Sequence, residues 1–147
     1  MTNKTTIKKI KGFTLLEVMV VIVILGILAS MVVPNLMGNL DRANVQKAVS
    51  DVGALETLLQ RYKMDNYKYP TTEQGLDALV HETDIEPLPR RFPQGGYTNR
   101  IAKDPWGNDY QFLSPGENGE YDVFSAGPDG QPGTDDDIGN WNIADYQ

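Results

Sequence analysis

Hydrophobic and polar positions divide this chain into two halves with different periodicity. From Phe13 to Val33 the sequence is apolar apart from Thr14, Glu17, Gly26 and Ser30. About twenty such residues in a helix, rising 1.5 Å each, match the ~30 Å of a bilayer's hydrocarbon, so residues 13–36 are predicted as a transmembrane helix. Beyond Pro34 the apolar residues thin to one face: Leu36, Leu40, Val45, Ala48, Val49, Val52, Leu55, Leu58, Leu59 and Tyr62, with Arg42, Lys47, Asp51, Glu56 and Arg61 between them. That i, i+3, i+4, i+7 spacing predicts an amphipathic helix running to about Tyr67 and burying its stripe against its own domain. Pro34 lacks an N–H and clashes with the preceding turn, so a kink or local melting is expected between Gly26 and Pro34.

The C-terminal half carries turn and strand signals. Tyr69-Pro70 ends the long helix, and Thr71 or Thr72 is placed to cap a short one from about Glu73 to His81. Residues 82–103 are rich in Pro, Gly and charge and are predicted as a structured loop. Asp104-Pro105-Trp106-Gly107-Asn108 has the residue types of a turn. After it, Tyr110 and Phe112, then Tyr121, Val123 and Phe124, predict two strands joined as a hairpin across Pro115 to Gly119. The expected fold is α+β: a long N-terminal helix packed on a small C-terminal antiparallel sheet with a short helix and loops.

Charge sharpens the division. The chain has 147 residues and a net charge of −7. Four lysines and no acid lie in the first twelve residues; without them nine basic side chains face twenty acidic ones, a balance of −11. The basic start places the N-terminus on the cytoplasmic side and the acidic remainder outside. An acidic domain has no basic face to displace phosphate counterions, which argues against nucleic acid as a partner and against an anionic membrane surface for the soluble part. Cysteine is absent, so disulfides and thiolate chemistry are excluded. His81 is the one histidine, too few for a multi-histidine metal cage, and is expected to be a solvated residue on the short helix. Glu117, Glu120 and Asp122 are expected on the hairpin surface, with no cleft that would make them an acid–base pair and no enzymatic activity implied.

Glu17 is the exception in the apolar segment. A carboxylate at membrane depth costs about 2.5–3.5 kcal/mol and needs a partner. A secretory signal peptide cut near Ala29 or Ser30, or a plain single-pass anchor, would explain the apolar run but not this acid. Cleavage after Gly12 would supply the partner: the new amine at Phe13 lies four residues from Glu17, roughly 6 Å along one helix face. An amine and a carboxylate attract strongly in low dielectric, within one chain or between neighbours.

The basic leader, Gly12-Phe13-Thr14-Leu15-Leu16-Glu17 and the long apolar helix resemble a type IV prepilin signal. Tyr69-Pro70-Thr71-Thr72-Glu73-Gln74-Gly75-Leu76, Asp104-Pro105-Trp106-Gly107-Asn108, Gly127-Pro128-Asp129-Gly130 and Ile138-Gly139-Asn140-Trp141 resemble the major pseudopilins of type II secretion systems, in order over nearly the whole chain. The resemblance implies a leader, residues 1–12, removed by a prepilin peptidase, N-methylation of Phe13, an assembly helix over 13–36 and a periplasmic domain over 37–147. It implies pairing of Glu17 with the terminal amine of an adjacent subunit in a helical homo-oligomeric filament. It also implies an inner-membrane, single-pass location before assembly, and partners: minor pseudopilins, an inner-membrane platform protein, an assembly ATPase and a secretin. The absence of a C-terminal cysteine pair sets the chain apart from disulfide-looped pilins. A pilin for adhesion, motility or DNA uptake is the alternative, and an exported calcium-binding or enzymatic domain cut near Ala29 is a third.

Asp129, Asp135, Asp136 and Asp137 fall within nine positions among Gly127, Gly130 and Gly133. Oxygen donors without nitrogen or sulfur suit calcium, which takes six to eight of them at about 2.3–2.6 Å. The spacing is not that of an EF-hand, and the residues alone leave a solvated turn open. The resemblance implies a calcium-binding loop near 126–137. Its ligands are expected to be the side chains of Asp129, Asp136 and Asp137, the carbonyls of Ala126 and Gln131, and Thr134 as a further donor, with Asp135 facing solvent.

Overall fold

The computed structural model describes residues 12–146; within its long helix the side chains of residues 32–37 are not described. The expected leader, residues 1–11, lies outside the described residues. The chain divides into two units, Met1–Leu40 and Asp41–Gln147. One α-helix, α1, spans Leu15–Asn66, and its backbone is helical through Gly26 to Pro34, where a kink or local melting is expected, so it is not melted there.

In the first unit every described side chain from Phe13 to Met31 is exposed, including Leu15, Leu16, Val23, Ile24 and Leu28. Among the described residues no helix is long and apolar enough to cross a membrane. Within the predicted span the described side chains end at Met31, and those of residues 32–36, including Leu36 of the predicted stripe, lie outside the described ones.

The second unit has its own core. The predicted stripe is buried from Ala48 onward: Ala48, Val49, Val52, Leu55, Leu59 and Tyr62 all fall within it, while Val45 and Leu58 are half-buried and Leu40 is exposed. Val52, Leu55, Leu59 and Tyr62 pack with Leu76, Leu79, Tyr97, Tyr110, Phe112, Tyr121 and Val123. A smaller cluster joins Ala48 and Val49 to Ile138. Burying a Val or Leu side chain fully is worth about 1.5–3 kcal/mol, which makes this stripe the main attachment of the helix to the rest of the unit.

Three short strands form an antiparallel sheet in the order β1 (Gln111–Leu113), β2 (Asp122–Ser125) and β3 (Ile138–Gly139). Phe112 faces Val123, and Ser125 faces Ile138. The hairpin is therefore as expected, but β3 is an addition: two residues carry no alternation from which a strand could be read. The short helix is a correction too. Instead of Glu73 to His81 it is a 3-10 helix over Leu76–Leu79, preceded by turns, because Gln74 and Thr71 bond to each other and the Gln74 amide reaches the carbonyls of Ile85 and Pro87 at 2.6 and 3.0 Å.

Those Gln74 bonds, with Asn66 and Tyr97, give the 82–103 loop its shape. Asn66 ends α1 buried, accepting the Arg91 N–H at 2.9 Å and donating to the Tyr97 hydroxyl at 3.1 Å. Tyr97 in turn donates toward Asp65, and its ring lies 5.4 Å from that of Tyr62. Asp122 is the second correction. It is buried rather than on the surface, and its carboxylate accepts the N–H groups of Glu117 and Asn118 and the Asn118 side-chain amide. It thus satisfies donors that the hairpin turn would otherwise leave unpaired. Glu117 and Glu120 are exposed as expected, Glu120 pairing with Lys63 at 2.6 Å. His81 is exposed as well, 2.9 Å from Asp77.

Candidate functional site

Two places in the chain hold the residues from which chemistry is expected. At the start of α1, Thr14 precedes the first helical residue, and its hydroxyl accepts the Glu17 N–H at 3.2 Å while its carbonyl accepts that of Val18. Thr14-Leu15-Leu16-Glu17 has the Thr-x-x-Glu spacing of a capping box, in which the acid also meets the positive end of the helix dipole. Phe13 consequently stands outside the helix. With residues 1–12 still attached, the Thr14 cap starts the helix two residues after Phe13, whereas the shared helix face is expected of a chain that begins at Phe13. Glu17 itself is exposed, so its carboxylate is available to a group on another molecule. The Thr-x-x-Glu spacing that marks this cap is present in the sequence itself.

The second place is the loop after β2. Ala126, buried, is where the chain leaves the sheet, and Gly127 turns it at φ +63°. Thr134 lies at the centre of the loop. Its hydroxyl is 3.0 Å from the Gln131 carbonyl, 2.5 Å from Asp136 Oδ1 and 3.4 Å from Asp129 Oδ1. A hydroxyl has one proton, and all three neighbours are acceptors, so only one of them is satisfied by it. Asp136 is tied further by the Asp129 N–H at 3.2 Å, and the Gln131 N–H bonds back to Asp129 at 2.7 Å. These hydrogen bonds, the Thr134 hydroxyl first, hold the Asp136 carboxyl below its ordinary pKa.

Asp137 is buried where the loop rejoins the sheet. One oxygen accepts the Gly133 N–H at 2.8 Å and the other has no partner among the described residues. Burial first, then the negative charges of Asp136 and Asp129, push its pKa up. Asp135 is exposed, as expected.

Of the expected ligands, the structure brings together Asp129, Gln131, Thr134 and Asp136 around one hydroxyl, with the buried Asp137 next in sequence. Among the described residues no three carboxylate or histidine side chains are grouped closely enough to hold a metal by themselves. The donors present are nevertheless those of a hard cation: two carboxylates, a carbonyl and a hydroxyl converging, plus an orphaned buried carboxylate oxygen.

The loop's frame escaped sequence reading. Asp104, buried in the Asp104–Asn108 turn, accepts the N–H groups of Trp106 at 3.0 Å and Asn108 at 2.8 Å with one oxygen. Its other oxygen takes the hydroxyl of Ser125, the last residue of β2, at 2.6 Å. At the far end, the Asn142 amide donates to the Asp137 carbonyl at 2.9 Å and its oxygen accepts the Gly139 N–H. Asn140 bonds the Val123 N–H and the Tyr121 carbonyl, fixing β3 to β2. Short polar residues in a turn-rich segment signal turns, not the specific partners that burial gives them.

Both places fall within stretches matched by known protein families. A family model for type II secretion system protein G matches residues 35–141, and one for the prokaryotic N-terminal methylation motif matches residues 7–33. The chain is 67% identical to the type II secretion system core protein G of Aeromonas hydrophila, over 92% of this chain and 95% of that protein. With the protein of the same description in Vibrio cholerae the identity is 62%, over 95% and 97% of the two chains. The crystal structure of the major pseudopilin from the type 2 secretion system of enterohaemorrhagic Escherichia coli is similar at 58% identity and a TM-score of 0.69, covering 76% of this chain and 97% of that one. The secretion branch is therefore supported over the adhesive or motility pilin kept as the alternative. The chain belongs to the type II secretion system protein G family.

Proposed function

We propose that this chain is the structural subunit of a periplasmic pseudopilus, polymerising through the N-terminal part of α1 to drive export of folded proteins across the outer membrane. The observation that carries this reading is the contrast within α1. Its first part exposes a run of apolar side chains interrupted only by Glu17, Gly26 and Ser30, whereas its last part is already buried in a folded unit. Apolar surface on that scale requires a covering, which a membrane supplies before assembly and other copies supply after it.

Cleavage after Gly12 by a prepilin peptidase, with methylation of Phe13, leaves a cationic amine next to a capped helix start. With Phe13 outside the helix, Glu17 of one copy pairs with the Phe13 amine of another. Identical copies joined by such a non-closing contact form a helical fibre, and the subunit needs no catalytic residue to do so. Before assembly the protein sits in the inner membrane, with its leader in the cytoplasm and its acidic unit in the periplasm. A platform protein, an assembly ATPase, minor pseudopilins and a secretin complete the machine.

Calcium is proposed for the loop, held by Asp129, Asp136, Asp137, the carbonyls of Gln131 and Ala126, and Thr134. When bound, it neutralises carboxylates that otherwise repel and links the two ends of the loop. The chain's own residues set the site: Thr134 gathers the oxygens, Gly133 holds one Asp137 oxygen, and Gly127 lets the strand exit pass close to Asp136.

Deletion of the gene tests the main reading. Loss of exoprotein secretion with twitching motility intact is the expected phenotype; intact secretion with lost twitching would show an adhesive or motility pilin instead.

A further inference from the structure

The proposed calcium loop rests on the Asp104–Asn108 turn at two independent points. At the first, the Ser125 hydroxyl donates to Asp104 Oδ2 at 2.6 Å and accepts the Gly127 N–H at 3.2 Å. Ser125 is fully buried and Asp104 nearly so. Gly127 is the residue at which the loop turns off β2, at φ +63°, and it lies so close to Asp136 that a Cβ there would stand 2.7 Å from an Asp136 carboxylate oxygen. Its position therefore fixes where Asp136 can be. At the second point, Gly130 turns at φ +67° beside Asn108, with space for a Cβ only 3.3 Å from the Asn108 amide. Gly130 directly follows Asp129, and its N–H bonds back to the Gly127 carbonyl at 3.3 Å.

We propose that the buried Asp104–Ser125 pair is a positioning device for the loop's cation site, setting Gly127 so that Asp136 and Asp129 meet around Thr134. The inference rests on the calcium reading of the loop. It adds to it that two residues of the turn and strand, neither a ligand, determine calcium affinity. A charge-assisted hydrogen bond in a dry environment is stronger and more directional than one at the surface, which suits this pair to hold the strand exit in one geometry. The loop is exposed over most of its length, so without such an anchor the ligands would have to be ordered by the ion itself, and that ordering would be subtracted from the binding energy.

Calcium titration calorimetry of the full chain in detergent micelles tests the proposal, with melting temperatures recorded in calcium and in chelator. Ser125→Ala removes the hydroxyl, and Asp104→Asn keeps the shape of the turn while removing the charge. Both variants are expected to bind calcium about 10–100-fold more weakly, as for outer groups that orient metal ligands, and to lose most of the calcium-dependent rise in melting temperature. Wild-type affinity in both variants, or a fall in melting temperature of the same size with and without calcium, overturns the proposal and leaves the pair a purely structural contact. Should Ser125→Ala not fold, Asp104→Asn decides alone. Absence of calcium binding by the unmodified chain would overturn the calcium reading itself, a different result from a deficit confined to the variants.

Discussion

The two ends of α1 are both apolar, yet they solve the exposure of that surface in opposite ways. From Ala48 to Asn66 the helix alternates stripe and charge, and Leu59 is completely buried against its own unit. From Phe13 to Met31 the apolar residues occur all round the helix, and Val23 remains 59% exposed. A stripe can be satisfied by one neighbour within the chain, whereas an all-round apolar surface needs surroundings on every side. The comparison teaches that the first part of the helix is specified for an environment outside the folded unit, and the second for the unit itself.

Changes in the two parts should therefore act on different observables. In the N-terminal part, Glu17→Ala is expected to leave cleavage and membrane insertion intact while removing one side of the ion pair proposed with the Phe13 amine of a neighbouring copy. That costs about 3–5 kcal/mol at each subunit contact and would all but eliminate filaments. Filament counts by electron microscopy and cleavage by gel mobility check it, and normal filaments would remove the pairing argument. In the C-terminal part, Leu59→Ala should destabilise the Asp41–Gln147 unit by about 2–5 kcal/mol. Val23→Ala should leave that unit's denaturation midpoint unchanged within about 0.5 kcal/mol. Equal effects of the two alanine substitutions would erase the distinction between the halves.

The acidic loop sharpens the comparison, because the calcium proposed there would make the stability of the second unit, and not of the first, depend on an ion. Asp129→Ala combined with Asp136→Ala is expected to abolish the calcium-dependent part of stability, about 2.7 kcal/mol when calcium is at a hundred times its dissociation constant. Limited proteolysis with and without chelator reads this out, and an unchanged melting temperature on chelation would count against the loop assignment. Asp122→Ala should cost about 1–3 kcal/mol by leaving the N–H groups of Glu117 and Asn118 without an acceptor, measurable by urea denaturation.

The smallest effect concerns alkali. Burial, then the hydrogen bond and charge of Asp65, push the Tyr97 hydroxyl up to about 12, and burial likewise raises Tyr110 and Tyr121. An unfolded tyrosine titrates near 10. The neutral phenol is thus favoured in the fold: its contribution is fully present below about pH 10 and is lost as pH rises through about 12. Melting temperature should fall across that window as tyrosinate absorbance appears. Titration of all seven tyrosines near pH 10 without loss of structure would show these hydroxyls to be accessible.

Much of this architecture was legible in the residues. The period of the apolar positions set the helix and its buried stripe, and Asp104-Pro105-Trp106-Gly107-Asn108 with the alternation around Phe112 and Val123 gave the turn and hairpin. What was not legible depended on long-range partners. Strand β3 is two residues held by Asn140, and Asp122, read as surface, is buried because the hairpin turn directs its N–H groups inward. In the loop, composition pointed to a cation and family resemblance to particular ligands. The role of Thr134 as the meeting point, and of Ser125 and Asp104 beneath it, required the fold. At the start of α1 the Thr14 cap was visible in the spacing, but its consequence, that Phe13 stands outside the helix, became clear only with the backbone in place.

The central claim, that the apolar part of α1 is retained and exposed for assembly rather than removed on export, is tested most directly by mass spectrometry of the mature N-terminus. A chain beginning at N-methylated Phe13 is the result this account predicts. A chain beginning near Ser30 would contradict it, because both Glu17 and the surface it serves would be gone.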